Sequence, residues 1–299
     1  MKQRVLCIGE VLWDSLPSGL FPGGAPFNVA IHLRSLGAEV VFVSRVGDDE
    51  LGGEIRRRMQ QRRLPPEHLQ IDDTWPSGFV LVTSGSSEEP EYDILKPAAW
   101  DAIEFTDDLA QLLARVDYLV CGSLAQRENP SRQTIQRCLS QDVVTIFDVN
   151  LRPPYDSQAV VESTLERADL VKLNVQELTT FISRFDLNTD FRHAITSLAD
   201  KFGCRSVCVT RGEEGAILYH EGGWFNHPGY AVDNVDAVGA GDAFLAAMIS
   251  RLFLQQTDAG EALDFANKAG AFVATQFGAT PELIPGNINL IANKNAYPE

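Results

Sequence analysis

Basic residues are scarce in this sequence. Only 25 lysines and arginines stand against 41 aspartates and glutamates, which leaves a net charge of -16 over 299 residues. A surface with so much negative charge repels nucleic-acid backbones and anionic lipid headgroups. We therefore expect neither nucleic acid nor a membrane as a partner, although a local positive site for an anionic ligand is compatible with this composition.

Long apolar runs and paired cysteines are also absent. No apolar stretch approaches the roughly 20 residues that a membrane-spanning helix needs. The amino terminus enters the strand-like "RVLCIG" without the features of a signal peptide. The five cysteines show no CxxC spacing and mostly lie within apolar runs, so we expect buried, reduced thiols. Together these features predict a cytoplasmic protein.

Two common phosphate-binding signatures are missing as well. The sequence has no GxxxxGK[ST] loop, and no GxGxxG follows the first predicted strand. Their absence argues against a P-loop nucleotide hydrolase and against a Rossmann dinucleotide-binding fold. Phosphate binding therefore has to come from a different glycine-rich turn.

What the sequence does contain is a regular alternation of short apolar runs with segments of helical period. The strand candidates are "RVLCIG", "EVVFVSRVG", "DYLVCGS", "VVTIFDV", "DLVKLN" and "SVCVTR". Amphipathic stretches between them, such as "FNVAIHLRSLG" and "DELGGEIRRRMQQRR", predict helices, with Asp49 as a cap of the second. This alternation predicts an α/β fold with a mostly parallel central sheet flanked by helices.

The segment at about 74–96 breaks the alternation. In it "GFVLVTS" and "EYDILK", separated by "GSSEEP", predict a β hairpin. Together with the segment at about 12–23, the hairpin is expected to form a small β lid over the ligand, with an exposed face that supports a homodimer. No linker-like composition, low-complexity tract or repeat divides the chain, so we expect a single domain over residues 1–299.

The turn "GAGD" is the strongest candidate for catalytic chemistry. Gly239, Ala240 and Gly241 have little or no side chain, so their amides can converge on a phosphoryl oxygen. Asp242 can accept the proton of a hydroxyl that attacks a γ-phosphate. The alternative is a glycine-rich helix start in which Asp242 is an ordinary first-turn residue.

Polar residues also follow the first predicted strand. In "FPGGAPFNVAIHL", Gly23 and Gly24 allow the backbone to approach a ligand closely, and the Asn28 amide suits a hydroxyl-rich molecule. Asp14 is a further carboxylate for sugar hydroxyls, or else a turn residue. In a parallel sheet such segments meet at the carboxyl ends of the strands, where ligands bind open α/β folds.

The stretches "VKLNVQEL" and "VTRGEEGA" complete the set. Lys172 ends a strand, and Asn174 and Glu177 share one helix face if the helix begins there. Such a pair can orient Mg²⁺ through its water shell near nucleotide phosphates, or it can be a plain capping arrangement with a solvated glutamate. Thr210 and Gly212 could meet a phosphate, or they could belong to a bare hairpin turn.

As an ordered set, "GGAPFNVA", "RVGDDELG", "FDVNLR", "KLNVQE", "VTRGEEGA" and "DAVGAGDAF" resemble the motifs of the ribokinase-type (PfkB) carbohydrate kinases. The likeness runs from Cys7 to Phe277 and is greatest to the fructokinase branch. It implies a ribokinase-like fold and an ATP- and Mg²⁺-dependent kinase that converts D-fructose to fructose 6-phosphate. Three alternatives stay open: another sugar or keto sugar acid, a nucleoside, or a catalytically silent sugar-binding regulatory protein.

The same resemblance implies a role for each candidate residue. Asp242 would be the catalytic base, Arg152 would neutralise phosphate charge beside the substrate, and Glu177 would hold Mg²⁺ through water. The other residues would form the anion hole (Gly239, Ala240 and Gly241), the sugar site (Asp14, Gly23, Gly24 and Asn28), the nucleotide phosphate site (Lys172, Asn174, Thr210 and Gly212) and the border of the adenine (Asn267 and Ala271).

One pair of residues departs from the family's pattern. Asp236-Ala237 stands where the family usually has Asp-Thr, so a hydroxyl that could support the turn is missing. In relatives this neighbourhood often binds a monovalent cation such as K⁺ through backbone carbonyls. The resemblance therefore implies such a cation here, beside a turn with one hydrogen bond fewer.

Overall fold

The structure is a computed structural model that describes residues 3–16, 19–84 and 90–291. Within these ranges nine strands form a large sheet, in chain order β1 (Arg4–Ile8), β4 (Glu39–Gly47), β5 (Leu69–Asp72), β8 (Tyr118–Gly122), β9 (Val144–Asp148), β10 (Leu170–Asn174), β11 (Ser206–Thr210), β12 (Ala216–His220) and β13 (Gly223–His227). Their spatial order is β13-β12-β11-β10-β9-β8-β1-β4-β5. The strands from β11 to β5 in this order run parallel, and β12 and β13 extend one edge as antiparallel strands.

Helices cover both faces of the large sheet. They are α1 (Ala25–Ser35), α2 (Glu50–Gln61), α3 (Asp107–Leu113), α4 (Asn129–Leu139), α5 (Gln158–Leu165), α6 (Val175–Phe185), α7 (Phe191–Phe202), α8 (Ala240–Met248), α9 (Ala259–Ala274) and α10 (Pro285–Ile288). Alternate residues of β1 enter two separate apolar cores, as period 2 requires. One core contains α1, α2, α8, α9 and α10, and the other contains α3 to α7. The predicted α/β fold with a mostly parallel sheet is therefore confirmed.

A second, small sheet is formed by β2 (Leu12–Leu16), β3 (Gly19–Gly23), β6 (Gly78–Ser84) and β7 (Pro90–Ile94), in the order β3-β2-β6-β7. The two segments predicted to form the lid do pair with each other, through β2 and β6. Residues 85–89 of the predicted hairpin turn lie outside the described residues. We call these four strands the small sheet.

The two faces of the small sheet differ in burial. Asp14 pairs with Val80, which is 4% exposed, so the Asp14 row belongs to the face turned toward the core. Ser15 pairs with Leu20 and Leu81, which are 44% and 39% exposed. Since successive side chains alternate between faces, the outer face presents two exposed leucines beside one serine.

The predicted elements are present, with three strands added. Asp49 caps α2 as expected, since its side chain accepts from the Gly52 amide at 2.7 Å. Strand β5 and the edge strands β12 and β13 were not predicted. No helix among the described residues is long and apolar enough to cross a bilayer.

Candidate active site

The carboxyl ends of the central strands bring most of the predicted polar residues together. Asp148 ends β9, Asn174 ends β10 and Thr210 ends β11, and these strands are neighbours. Asn174 pairs directly with Thr210. The parallel direction of these strands therefore places the predicted phosphate residues along one edge of the sheet, as open α/β folds require of a ligand site.

The "GAGD" turn forms the start of α8. Gly239 is the residue before the helix, with φ at 79°, and Asp242 lies in the first turn. The Ala240 amide already donates to the Ala237 carbonyl at 3.2 Å. In the part of the chain that the structure describes, the amides of Gly241 and Asp242 have no acceptor, so two donors at this helix end are free for an anion.

Asp242 contacts a residue far from it in the chain. Its Oδ2 accepts a hydrogen bond from Asn28 Nδ2 at 2.8 Å, across 214 positions of sequence. Asn28 lies in the first turn of α1 and is 4% exposed, and its buried Oδ1 has no hydrogen-bond partner among the described residues. The predicted base and a predicted sugar residue thus share one site, and a buried acceptor there is ready for a hydroxyl donor.

Charge around Asp242 makes its carboxyl suitable as a base. The pKa of Asp242 is raised to about 7, mainly by burial and also by Asp148, while Lys172, Asn28 and Arg152 oppose the rise. A carboxyl with a pKa near the working pH combines an adequate basic form with a useful proton affinity. An ordinary first-turn aspartate would have no reason to be held in so unfavourable an environment.

Lys172 supplies positive charge beside the helix start. Its Nζ forms a buried ion pair with Asp148 Oδ1 at 3.0 Å. A β-carbon added at Gly241 would lie 3.2 Å from this Nζ. Burial opposes the charge, but Asp148, Asp242 and Glu177 raise the pKa of Lys172 overall, so the ammonium persists at neutral pH.

The double glycine has a packing role. A β-carbon at Gly23 would lie 2.2 Å from Asp14 Oδ2, and one at Gly24, where φ is 110°, would lie 2.4 Å from the Glu10 carbonyl oxygen. Glu10 Oε1 also accepts from the amide of Ala25, the first residue of α1, at 3.2 Å. Gly23 therefore allows a close approach to Asp14 on β2, and Gly24 allows one to the loop after β1, while the expected approach to a ligand stays a prediction.

One exposed arginine lowers the pKa of three carboxyls of the site, those of Glu10, Asp14 and Asp242. Burial raises the pKa of Glu10 to about 7 and that of Asp14 to about 6, and Arg152 lowers both, as it does for Asp242. Arg152 itself is exposed, and its Nη1 donates to the Leu151 carbonyl at 2.9 Å. Its guanidinium therefore acts on all three carboxyls, and its predicted role of neutralising phosphate charge stays a prediction.

Asn174 and Glu177 form a capping box at the start of α6. Asn174 Oδ1 accepts from the Glu177 amide, and Glu177 Oε2 accepts from the Asn174 amide, both at 2.8 Å. Glu177 Oε1 accepts from the Leu151 amide at 2.8 Å. The capping geometry is present, but the expectation of a solvated glutamate was wrong, because Glu177 is only 7% exposed and secures the loop that carries Arg152.

The described residues offer no complete protein site for a metal ion: they contain no group of three histidines, cysteines, aspartates or glutamates that could hold one. Both oxygens of Glu177 already accept an amide hydrogen, although each retains a second lone pair. A hard cation here would therefore take most of its ligands from phosphate oxygens and water. This fits Mg²⁺ that arrives with a nucleotide.

The other predicted nucleotide residues lie at and just after the end of β11 and on α9. Thr210 Oγ1 donates weakly to the Leu173 carbonyl at 3.4 Å, and Gly212 has φ at 61° with open space around it. A β-carbon at Gly270 would lie 3.2 Å from the Ala240 carbonyl, so α9 packs on the start of α8. Two further predicted residues are on α9, the half-buried Ala271 and the buried Asn267, whose Nδ2 donates to its own helix at 2.8 Å. Their roles stay predictions.

The turn before α8 is supported despite the missing threonine. Asp236 Oδ1 accepts from the Val238 amide at 3.0 Å, and its Oδ2 accepts from the Gly278 amide at 3.2 Å. A β-carbon at Gly239 would lie 2.3 Å from the Ala279 carbonyl oxygen, which also bonds His32 Nε2 at 3.0 Å. The aspartate and this packed segment hold the turn, and Ala237 costs it little.

Two carboxylates of the site were missed at the sequence level. Asp148 pairs with Lys172, and Glu10 accepts from the first amide of α1. Within the part of the chain that the structure describes, one buried oxygen of each carboxylate has no hydrogen-bond partner. The available signal was their position, since Asp148 ends β9 and Glu10 follows β1. The rule that placed Asn174 at a strand end applied to these residues too, whereas Lys172, predicted to end its strand, is the middle residue of β10.

Comparison with known proteins decides the family. Residues 19–285 match the model of the family described as "pfkB family carbohydrate kinase". The chain belongs to this family. A fructokinase of Salmonella typhimurium is 30% identical over 302 residues, which cover 95% of this chain and 97% of the relative. Fructokinase-2 of Oryza sativa subsp. japonica is 28% identical over 307 residues, which cover 93% and 90%.

Solved structures of similar proteins agree with this assignment. A fructokinase double mutant of Vibrio cholerae O395, with fructose, ADP and potassium ion bound, has a TM-score of 0.82 at 26% identity, covering 97% of this chain and 98% of that one. A fructokinase of Xylella fastidiosa with bound ATP has a TM-score of 0.84 at 22% identity, covering 97% and 98%, and shows the fold alone. This pfkB-family chain is an ATP-dependent sugar kinase with the predicted ribokinase-like fold.

Proposed function

We propose that this kinase transfers the γ-phosphoryl group of ATP to the 6-hydroxyl of D-fructose, giving fructose 6-phosphate and ADP. The contact between Asp242 and Asn28 at the start of α8 carries the proposal, because it unites a carboxyl of raised pKa, a buried amide for a hydroxyl and two unused backbone donors. The fructokinase relatives support fructose as the acceptor.

The chemical step is proton removal coupled to in-line transfer. The 6-hydroxyl gives its proton to the Asp242 carboxylate as its oxygen forms a bond to the γ-phosphorus. At the same time the bond between that phosphorus and the bridging oxygen breaks, and the electron pair leaves with ADP. The amides of Gly241 and Asp242 and the Lys172 ammonium stabilise the charge on the transferred group.

The same proposal covers the ions and the sugar contacts. Mg²⁺ bound with ATP would neutralise phosphate charge, and Glu177 would orient its water shell. K⁺ would lie near the Asp236 turn, and the presence of a potassium ion in the Vibrio cholerae fructokinase supports a monovalent cation. Asp14, on the inward face of the small sheet, would accept hydrogen bonds from sugar hydroxyls. Asn28 would both accept hydrogen bonds from them and donate to them. The small sheet would then close over the sugar and exclude water.

The assembly and the compartment complete the proposal. The exposed leucines on the outer face of the small sheet favour a homodimer through that face. Buried, unpaired thiols are compatible with a reducing cytoplasm.

An acceptor screen tests the function directly. The purified chain, with ATP, Mg²⁺ and K⁺, is offered D-fructose, D-ribose, a keto sugar acid, a nucleoside and D-glucose, and ADP release is measured. Phosphorus NMR then identifies the phosphorylated position. We expect the highest kcat/KM with fructose, and an activity at least about 10²-fold lower in Asp242→Asn. A higher kcat/KM with another acceptor would replace fructose while leaving the kinase chemistry intact.

A melting experiment separates catalysis from mere binding. Fructose should raise the Tm of the chain, because a ligand that binds only the folded state stabilises it. A fructose-induced rise without ADP release from any acceptor would identify a silent sugar-binding protein, and the kinase mechanism would then be wrong.

A further inference from the structure

A fully buried ion pair lies outside the site described above. Arg127 Nε donates to Asp101 Oδ1 at 2.7 Å, and its Nη2 donates to Asp101 Oδ2 at 2.8 Å. The two side chains are 0% and 1% exposed. Burying two charges is costly unless their remaining donors and acceptors are satisfied, so the other partners of this guanidinium reveal what the pair supports.

The remaining donors of Arg127 hold the base of the small sheet. Its Nη1 donates to the Ile94 carbonyl at 3.3 Å, and its Nη2 donates to the Leu95 carbonyl at 2.9 Å. Ile94 ends β7, and the Leu95 amide donates back to the Phe79 carbonyl on β6 at 3.0 Å. The buried charge thus fixes the point at which the chain leaves the small sheet.

The other strand of this pair begins against the same cluster. The Arg127 guanidinium lies 4.0 Å from the ring centroid of Trp100. Gly78, the first residue of β6, is so close to that ring that a β-carbon on it would lie 2.4 Å from Trp100 Nε1. Both β6 and β7 are therefore anchored at one place.

Tyr155 connects this anchor to the loop that carries Arg152. The Tyr155 ring lies 4.9 Å from the Arg127 guanidinium and 4.9 Å from Lys96 Nζ, and Lys96 follows β7 by two residues. The Tyr155 amide donates to the Arg152 carbonyl at 2.7 Å. Two cations at the base of the small sheet thus contact the ring that ends this loop.

Arg152 is the functional end of the connection. Its charge lowers the pKa of the carboxyls of Glu10, Asp14 and Asp242, so its guanidinium lies within electrostatic reach of all three. It is exposed, and among the described residues no carboxylate forms an ion pair with it. Its position must therefore be fixed through the backbone of its own loop.

We propose that Tyr155 is a positioning residue that couples the base of the small sheet to Arg152. When the small sheet seats on the sugar, Arg127 and Lys96 hold the Tyr155 ring, and the loop places the Arg152 guanidinium beside the phosphoryl group. The inference rests on the proposed function, in which the small sheet covers the sugar and Arg152 neutralises phosphate charge.

A double-mutant cycle tests the coupling. Tyr155→Leu removes the ring but keeps apolar bulk, Tyr155→Phe keeps the ring, and Arg152→Ala removes the guanidinium. The cycle is measured on kcat for the best acceptor and on the Kd for ATP by calorimetry. We expect Tyr155→Leu to lower kcat about fivefold in the native background. In the Arg152→Ala background the fold-decrease in kcat caused by Tyr155→Leu should be smaller by a factor of at least about three. Tyr155→Phe should restore nearly full kcat.

A matched control identifies a purely structural role. Phe105 is a half-buried ring that lies 3.7 Å from the Arg137 guanidinium, away from the site. Phe105→Leu should lower the Tm to a similar degree and leave kcat and the Kd for ATP unchanged. If Tyr155→Leu acts equally in both backgrounds, or only on the Tm, the coupling is wrong. A native chain that phosphorylates no acceptor refutes the proposed function instead, and the cycle on the Kd for ATP then decides the coupling.

Discussion

At the scale of single residues, Asp242 combines two properties that usually exclude each other. It lies in the first turn of a helix, where a carboxylate is stabilised by the free amides, and burial with Asp148 nearby nevertheless raises its pKa to about 7. The position at the helix start favours the charged carboxylate, whereas burial and the nearby Asp148 favour the neutral acid. The balance leaves a carboxylate that is available at neutral pH and still basic enough to take a proton.

Asp242→Asn should separate catalysis from folding. The change keeps the shape of the side chain, and its amide oxygen can still accept from Asn28 Nδ2. We expect sugar-dependent ADP release to fall roughly 10²- to 10⁴-fold, the usual worth of a positioned base. The Kd for ATP should stay close to the native value, since the amides of Gly241 and Asp242 are backbone groups. Near-normal turnover would instead support an ordinary first-turn residue.

The same substitution should raise stability in a pH-dependent way. The pKa of Asp242 is about 7 in the folded protein against 3.8 for a solvated aspartate. Between these values the folded state binds more protons than the unfolded state, so the contribution of this group to stability falls as the pH rises. The Tm of Asp242→Asn should therefore exceed the native Tm by more at pH 8 than at pH 5. An equal difference at both pH values would contradict the assigned pKa.

At the scale of elements, α1 is bounded by two glycines with positive φ. Gly24 precedes it with φ at 110° and Gly37 follows it with φ at 85°, but only Gly24 has atoms within 4 Å of an added β-carbon. Gly37→Ala should cost about 1 to 2 kcal/mol for the backbone conformation alone. Gly24→Ala should cost about 1 to 3 kcal/mol more, because its β-carbon meets the Glu10 carbonyl.

Urea denaturation of the two variants checks this difference. Gly24→Ala should also weaken sugar binding, since it displaces the helix start that carries Asn28, whereas Gly37→Ala should leave the sugar KM unchanged. Equal losses of unfolding free energy would mean that the contact between Gly24 and Glu10 has no energetic weight.

Local sequence signals predicted most elements but not all of their partners. The central strands and α2 with its Asp49 cap follow from apolar runs and capping residues. Strand β5, with the sequence "LQID", is too short and too polar to be recognised without its neighbour β4. The sequence around Glu177 is typical of a helix cap at the surface. No local pattern predicts that Glu177 accepts a hydrogen bond from the Leu151 amide, 26 positions away, in a buried position.

The residues of the site can also be divided into those that local sequence predicted and those that depend on distant contacts. Residues in glycine-rich turns and at strand ends, such as Asp242 and Asn174, could be predicted from motif and position. The ion pair of Lys172 with Asp148 could not, because it depends on which strands become neighbours. The hydrogen bond from the Ala25 amide to Glu10 could not either, because it depends on how the chain between β1 and α1 folds back. Burial, which determines the pKa values here, is likewise a property of the whole fold.

At the scale of the whole molecule, the outer face of the small sheet predicts self-association. Leu20 and Leu81 are 44% and 39% exposed there and pair with the same residue of β2. If this face forms the homodimer interface, Leu81→Glu should shift the chain toward monomer in sedimentation velocity. Ile71→Glu is the matched control, because Ile71 is 42% exposed on β5, at the edge of the other sheet. A dimer unaffected by Leu81→Glu would place the interface elsewhere.

The five cysteines can report the unfolding of the molecule, because their thiols become accessible to reagents only when the structure opens. All are buried and unpaired, and burial raises the pKa of every one of these thiols. Alkylating reagents attack the thiolate, so a brief exposure to iodoacetamide should leave closed molecules unmodified and modify all five sites in opened ones. Mass spectrometry of such a pulse would then count the closed fraction molecule by molecule, in a crude extract and without any introduced label.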